Sequence, residues 1–167
     1  VNISGSPYHM RLVDLDGKGG SQDRSLSAEA VIYPGSIIII KDATPEGSTL
    51  FSFTASPSPL TNFSLVDNGT IANTKVFSGI TSFTTDPQGP TYTVVETPIP
   101  GGWSLDDIVC VDPTSNSSGN ISTATATIDL AEGEDVTCTF TNLLNTGTII
   151  VHKDVQGPEG EDIVDTS

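Results

Sequence analysis

Short segments with the composition of β-strands follow one another along the whole chain, and Gly, Pro or a polar cluster ends each of them. No window keeps apolar residues at positions i, i+3, i+4 and i+7, the pattern that an amphipathic helix needs. The strand-like segments are residues 8–15, 25–33, 36–42, 49–55, 63–67, 74–80, 91–96, 104–111, 122–130, 134–142 and 148–154. Short strands at this spacing predict an all-β fold, either a sandwich or a barrel.

One strand sequence occurs twice. GSIIIIKD at residues 35–42 returns as GTIIVHKD at 147–154, which is 112 residues further along the chain. Repetition at a fixed period indicates a repeated module. We therefore predict one complete domain over residues 35–146. Residues 147–167 would then hold the first strand of a following repeat, or a strand donated to the next subunit of a fibre.

Residues 1–34 form two predicted strands joined by DLDGKGGSQDR, a hairpin too small to be stable alone. We interpret it as the C-terminal hairpin of a preceding β module or as an N-terminal extension. No basic segment followed by an apolar one opens the chain, so the first residue is not expected to be the translation start. Asp14, Asp16 and Asp23 could hold Ca²⁺, but Lys18 breaks the usual ligand spacing. A simple hairpin turn is therefore the preferred interpretation.

The charge of the chain excludes several partners. Six Lys and Arg stand against 21 Asp and Glu, a net charge of −15 that repels phosphate backbones and anionic lipids. No apolar stretch reaches the length of a membrane helix, so we predict no membrane insertion and no nucleic-acid partner. Nucleophile triads, phosphate-binding glycine loops and zinc-binding H-E-x-x-H motifs do not occur in the sequence. We predict neither a cofactor nor an enzyme with turnover.

The two cysteines, Cys110 and Cys138, lie in two different predicted strands. We expect them to form a disulfide; two buried free thiols are the alternative. A disulfide would close a loop of 28 residues and stabilise the fold by roughly 3 kcal/mol in the chain-entropy model. Such a bond favours an oxidising, extracellular location.

Five N-x-[ST] sequons could carry glycans in a glycosylating host. Their asparagines are Asn2, Asn62, Asn68, Asn116 and Asn120.

Three polar residues continue apolar faces of predicted strands. Side chains alternate between the two faces of a strand, so residues two positions apart share a face. By this rule Lys41 shares a face with Ile37 and Ile39, and Glu96 shares one with Tyr92 and Val94. Asn142 shares a face with Val136, Cys138 and Phe140. Each of the three polar groups would be costly to bury alone. Alternatively, Lys41 extends along the surface at a strand end, Glu96 faces solvent, and Asn142 opens a turn.

Together these three groups could form a covalent bond. Burial lowers the pKa of a lysine and raises that of a glutamate, so the amine can become neutral and nucleophilic. The Lys41 amine would attack the Asn142 side-chain carbonyl, while protonated Glu96 polarises that carbonyl and carries protons to the departing ammonia. The product is an isopeptide bond between Lys41 and Asn142. The reaction occurs once per chain, so it is maturation rather than turnover.

The segments IIIIKD, YTVVETPIPGGW and VTCTFTN resemble the prealbumin-like, Cna-B or SpaA-type domain of microbial surface proteins over residues 35–146. The resemblance implies a prealbumin-like, Ig-like β-sandwich with flanking strands from neighbouring modules. It also implies that Lys41, Glu96 and Asn142 occupy the places of the family's isopeptide residues. A cysteine pair marks a subgroup in which the disulfide can take over the stabilising role.

The resemblance implies a structural extracellular module of a surface stalk or filament, whose partners are copies of itself or adjacent repeats. In such a fibre Lys153 could take part in an intermolecular bond. The alternative is an adhesin or carbohydrate-binding module on the same scaffold. Trp103 could stack on a sugar, although core packing is the more usual role of a lone Trp near a strand start.

Overall fold

The computed structural model describes residues 31–84 and 89–153 in full and the backbone of residues 8–12 and 22–26. The strands in this part of the chain are β1 (Tyr8–Leu12), β2 (Gln22–Leu26), β3 (Gly35–Thr44), β4 (Leu50–Ser56), β5 (Phe63–Val66), β6 (Thr74–Ile80), β7 (Tyr92–Glu96), β8 (Trp103–Val111), β9 (Ser118–Asn120), β10 (Thr125–Ile128) and β11 (Asp135–Leu144). Short 3₁₀ helices span Ile71–Asn73 and Ile121–Thr123. The predicted all-β class is confirmed. Among these described residues, none belongs to a helix long and apolar enough to cross a membrane.

Nine of these strands form two sheets. One sheet has the order β5-β4-β7-β10-β9 and the other β6-β3-β11-β8, and their apolar faces pack against each other as a sandwich. The first and last strands of the sandwich, β3 and β11, are central neighbours and run parallel. The chain therefore enters the sandwich at one end and leaves it at the other, because parallel neighbours begin at the same edge of a sheet.

The core follows from period-two alternation along the strands. In β3 and β11 every second side chain is buried, and the alternating residues of β7 do the same from the opposite sheet. Aromatic rings connect the two sheets: Phe53 meets Phe140 edge-on at 5.2 Å, and Phe63 meets Phe77 at 5.6 Å between ring centroids. These contacts add to the burial of apolar area that holds the sheets together.

The predicted hairpin near the N-terminus is present, but the predicted position of its second strand is wrong. β1 pairs antiparallel with β2, and β2 lies at Gln22–Leu26 rather than at residues 25–33. The prediction relied on the apolar residues in the segment SLSAEAVIY. Residues 31–33 belong to no strand; instead, the Tyr33 backbone exchanges hydrogen bonds with Glu132 and Gly133 in the turn before β11.

Two other predicted strands also differ from the structure. The strand predicted at residues 122–130 begins only at Thr125, because the Asn120 side chain accepts hydrogen bonds from Ser122 and Thr123 and caps a 3₁₀ helix there. The strand predicted at 148–154 is not formed over its described part, residues 148–153. A strand needs a neighbour, and this segment is solvated: Ile149, Ile150 and Val151 are 90, 74 and 84% exposed.

Candidate functional site

The three polar residues that the alternation singled out lie inside the sandwich. Lys41 and Asn142 are 0% exposed and Glu96 is 2% exposed. Lys41 belongs to β3, Asn142 to β11, and Glu96 is the last residue of β7 in the opposite sheet. The alternative of a surface lysine, a solvated glutamate and a turn asparagine is wrong, because β11 continues two residues beyond Asn142.

The register of β3 and β11 brings Lys41 to Asn142. Lys41 pairs with Phe140, and Asn142 is the next inward residue along the neighbouring strand. Over this diagonal the long lysine stem reaches the amide: Lys41 Nζ donates to Asn142 Oδ1 at 2.7 Å. It also donates to the carbonyl oxygens of Phe140 at 2.9 Å and Asp42 at 2.6 Å. An ammonium has three protons, and all three have acceptors.

Glu96 approaches the same amide from the other sheet. Its Oε1 accepts a hydrogen bond from Asn142 Nδ2 at 3.0 Å, so the amide lies between an amine and a carboxyl group. Glu96 Oε2 is buried and has no hydrogen-bond partner. A buried carboxylate oxygen without a partner is costly, which favours the protonated form of this acid.

Burial moves the pKa values of the acid and the amine toward each other. Removal from water lowers the pKa of Lys41 from 10.5 to about 8, although the charges of Glu96, Asp42 and Asp67 oppose this shift. Burial raises the pKa of Glu96, against the opposing effects of the Lys41 charge and the Asn142 hydrogen bond. Both shifts favour the neutral amine and the protonated acid relative to the same groups in water.

Aromatic rings close the site against water. The Phe51 ring lies 4.3 Å from Lys41 Nζ, measured to the ring centroid, and contacts the amine as a cation–π partner. Trp103 meets Phe51 edge-on at 5.3 Å and packs against the core. Trp103 thus takes the packing role that is usual for a lone Trp near a strand start.

Two features of the site were not predicted from the sequence. The pairing of β11 with β8 shifts between Thr141 and Asn142, which leaves Asp106 as an extra residue on β8. Such a bulge redirects side chains and often lies beside a functional site. The second feature is Asp67, a buried carboxyl group close enough to Lys41 to affect its charge.

The predicted disulfide is confirmed. Cys110 on β8 and Cys138 on β11 face each other directly across the strand pair and are joined at an S–S distance of 2.04 Å. No cysteine in the chain is free. The bond ties an edge strand of the four-stranded sheet to the central strand that carries Asn142.

The remaining predicted site residues that the structure describes in full lie outside the sandwich core. Four sequon asparagines are exposed: Asn62, Asn68, Asn116 and Asn120. Lys153 is exposed in the segment that follows β11. Asn2, Asp14 and Asp16 lie outside the described residues, and only the backbone of Asp23 is described, so the calcium hypothesis lies outside as well. In the described part of the chain, acidic, His and Cys side chains form no group suited to a metal ion.

A second acidic cluster stabilises the loop after β8. Asp112 accepts hydrogen bonds from the backbone N–H groups of Thr114, Ser115 and Ser117. Burial alone would raise the pKa of Asp112, but the hydrogen bonds from Ser117 and Thr114 outweigh it and hold the pKa far below its usual value. These hydrogen bonds fix the conformation of the loop.

A sandwich whose central parallel strands bury a lysine and an asparagine opposite a glutamate defines a class: small β modules with a polar site enclosed between their sheets. A family model described as a prealbumin-like fold domain of the SpaA type matches residues 37–144. The chain belongs to this family, and the predicted prealbumin-like sandwich is confirmed. No curated protein and no solved structure matches the chain.

Proposed function

We propose that the protein is a structural extracellular module of a surface stalk or filament, and that a Lys41–Asn142 isopeptide bond joins its first and last strands. One observation carries the proposal: an amine, an amide and an acid are hydrogen-bonded in series inside a core that excludes water. A fold that only needed stability would fill these three positions with apolar residues, because buried polar groups are costly to desolvate.

The reaction would proceed by proton transfer and acyl transfer. Lys41 gives a proton to Glu96, and the neutral Nζ attacks Asn142 Cγ to form the new C–N bond. Protonated Glu96, which contacts Asn142 Nδ2, then protonates that nitrogen in the tetrahedral intermediate. The Cγ–Nδ2 bond breaks, and the second amine proton passes through the carboxyl group to the leaving nitrogen. Having received both protons, the nitrogen departs as ammonium, and Glu96 is recovered as the carboxylate.

Support for a load-bearing role comes from the positions of the two strands. Because β3 and β11 run parallel, a pulling force enters at Gly35 and leaves at Leu144, at opposite ends of the sandwich. A bond between Lys41 and Asn142 would carry that force directly from one strand to the other. The residues between them would then be shielded from extension.

Tandem repetition would extend the module into a stalk. The exposed segment Ile149–Val151 repeats the sequence positions of Ile37–Ile39 in β3, where Ile37 and Ile39 are 0% exposed. In a following repeat, or in a neighbouring copy, this segment would become a buried strand and Lys153 would take the part of Lys41. Residues 1–34 would belong to whatever precedes the module.

We extend the proposal to glycosylation in a host that glycosylates its surface proteins. The four described sequon asparagines are exposed, and each accepts a hydrogen bond through Oδ1: Asn62 from Ala55, Asn68 from Thr70, Asn116 from Thr114 and Asn120 from Ser122. A glycan attaches to Nδ2, which is not the atom that accepts these hydrogen bonds.

The adhesin alternative has less support. A carbohydrate site is typically lined by aromatic side chains that stack on sugar rings, whereas the groove formed by residues 113–114 and 131–135 carries three acidic side chains and no aromatic one. Trp103 is used in packing.

Stretching single molecules from residues 35 and 144 tests the load-bearing role. With the bond formed, only the short strand ends outside it can extend. With Lys41→Met, about 80 residues outside the disulfide loop would extend at about 3.5 Å each, a release on the order of 250 Å. A release of that size from the parent protein would refute the proposal.

A further inference from the structure

Asp67 holds the end of β3 that carries Lys41. The pairing of β3 with β6 ends at Ile40 and Thr74, so the last residues of β3 have no strand on that flank. The Asp67 side chain takes over there: its Oδ2 accepts a hydrogen bond from the Ala43 backbone N–H at 2.8 Å. The Asp67 backbone oxygen accepts a second bond from the Gly47 N–H at 2.7 Å. Asp67 thus fixes both ends of residues 43–47, two residues beyond the reactive amine.

The same carboxyl group is buried within electrostatic range of the amine. Asp67 is 5% exposed, and its charge favours the protonated form of Lys41. The other carboxyl groups that act on the amine are Glu96 on β7 and Asp42 on β3. β11 faces the amine with the Asn142 amide and the Phe140 carbonyl, and β4 faces it with the Phe51 ring.

We propose that Asp67 is a positioning residue for cross-linking: it anchors β3 so that Lys41 faces Asn142, and it holds the amine in its charged, unreactive form. The inference rests on the proposed isopeptide reaction and assigns a regulator to it. The anchoring depends on a hydrogen-bond acceptor, which asparagine also supplies. The electrostatic effect depends on the negative charge, which asparagine lacks.

The two effects can be separated with full-length chains purified unreacted under denaturing conditions and refolded at pH 5.5 to 9. The rate of the 17 Da mass loss that accompanies departure of ammonia is measured at each pH. Asp67→Asn should react about three- to tenfold faster than the parent on the acidic side, with an unchanged maximal rate. Asp67→Ala should show the same shift to lower pH and a reduced maximal rate. Glu132→Gln, which removes one exposed charge in the turn before β11 and keeps the acceptor for the Tyr33 N–H, should match the parent.

A purely structural Asp67 would leave the pH dependence unmoved in Asp67→Asn, and that result would overturn the inference. So would an Asp67→Ala chain with the maximal rate of the parent. If the parent never loses ammonia, the proposed function fails, and the Asp67 effect is still measurable.

In the Glu96→Gln chain the Lys41 ¹³Cε resonance should titrate at lower pH once Asp67→Asn is added. An unchanged titration would refute the electrostatic role independently of any cross-link.

Discussion

Lys41 Nζ and Asn142 Oδ1 are 2.7 Å apart on neighbouring parallel strands that begin and end the sandwich. A bond between these two side chains would close nearly the whole module into a covalent ring. The same contact explains why both side chains are fully buried: each satisfies hydrogen-bonding groups of the other, and Glu96 satisfies the remaining amide proton donor.

Glu96→Gln should prevent the cross-link while the sandwich still folds. Glutamine can accept the Asn142 Nδ2 hydrogen bond, but it cannot take the lysine proton or deliver it to the leaving nitrogen. We expect the intact mass of this variant to keep the 17 Da that ammonia loss would remove. Circular dichroism should show the same strand content as the parent. Full ammonia loss from Glu96→Gln would remove Glu96 from the mechanism.

The stability of the unreacted Glu96→Gln chain should rise with pH from below pH 8 up to about 10.5. The folded-state pKa of Lys41 is about 8 and its unfolded value 10.5, so the unfolded chain binds more protons in that window and unfolding becomes less favourable as pH rises. Removal of the Glu96 charge lowers the folded pKa further, so the increase begins below pH 8. The full gain is about 3 kcal/mol, measured by denaturant unfolding.

The control for this pH effect is Lys41→Met in the same Glu96→Gln background. It keeps the other titrating groups, including Tyr92, whose pKa is raised by burial. The rise with pH should be absent there. Equal slopes in the two chains would show that Lys41 is not held neutral by the fold.

The disulfide should contribute measurable stability of its own. Cys110 and Cys138 enclose a loop of 28 residues, for which chain entropy predicts a loss of about 3 to 4 kcal/mol when the bond is removed. Cys110→Ala with Cys138→Ala, made in the Glu96→Gln background so that only one cross-link changes, should unfold at correspondingly lower denaturant. Added thiol should destabilise the Glu96→Gln chain and leave the cysteine-free chain unaffected. Equal denaturation midpoints for the Glu96→Gln chain and its cysteine-free form would contradict a stabilising disulfide.

Gly119 is required where β9 crosses β8. A Cβ at this position would lie 2.3 Å from the Ile108 backbone oxygen, so the two strands would have to separate. We expect Gly119→Ala to lower the free energy of unfolding by about 1 to 3 kcal/mol. Gly101→Ala is the matched control, because a Cβ there meets nothing within 4 Å. A wild-type melting temperature for Gly119→Ala would show that β9 is not held against β8.

The polar site could be read from the sequence because its residues obey strand alternation. Lys41, Glu96 and Asn142 each end an apolar face, and a period of two needs no tertiary information. The module boundary at residues 35–146 rests on the repeated strand and stays a prediction. The parallel pairing of β3 and β11 was not predicted, because strand order and direction depend on contacts distant in sequence.

Asp67 and the β8 bulge were missed for the same reason. In the sequence Asp67 is the last residue of the predicted strand 63–67, before the turn residues Asn68 and Gly69. Its role appears only once the pairing of β3 with β6 is known to end at Ile40 and Thr74, which leaves the Ala43 N–H for a side chain to satisfy. The strand at residues 148–154 was predicted from its apolar residues and its likeness to residues 36–42, and over its described part it has no neighbour to pair with.

The intact mass of the folded protein under reducing and non-reducing conditions tests the central claim most directly. We predict a mass about 17 Da below the sequence value after reduction, from ammonia lost at Asn142, and a further deficit of about 2 Da without reductant, from the disulfide. Tandem mass spectrometry should locate the first deficit in a branched peptide that joins Lys41 to Asn142. A reduced mass equal to the sequence value would contradict the isopeptide bond and leave a sandwich closed by its disulfide alone.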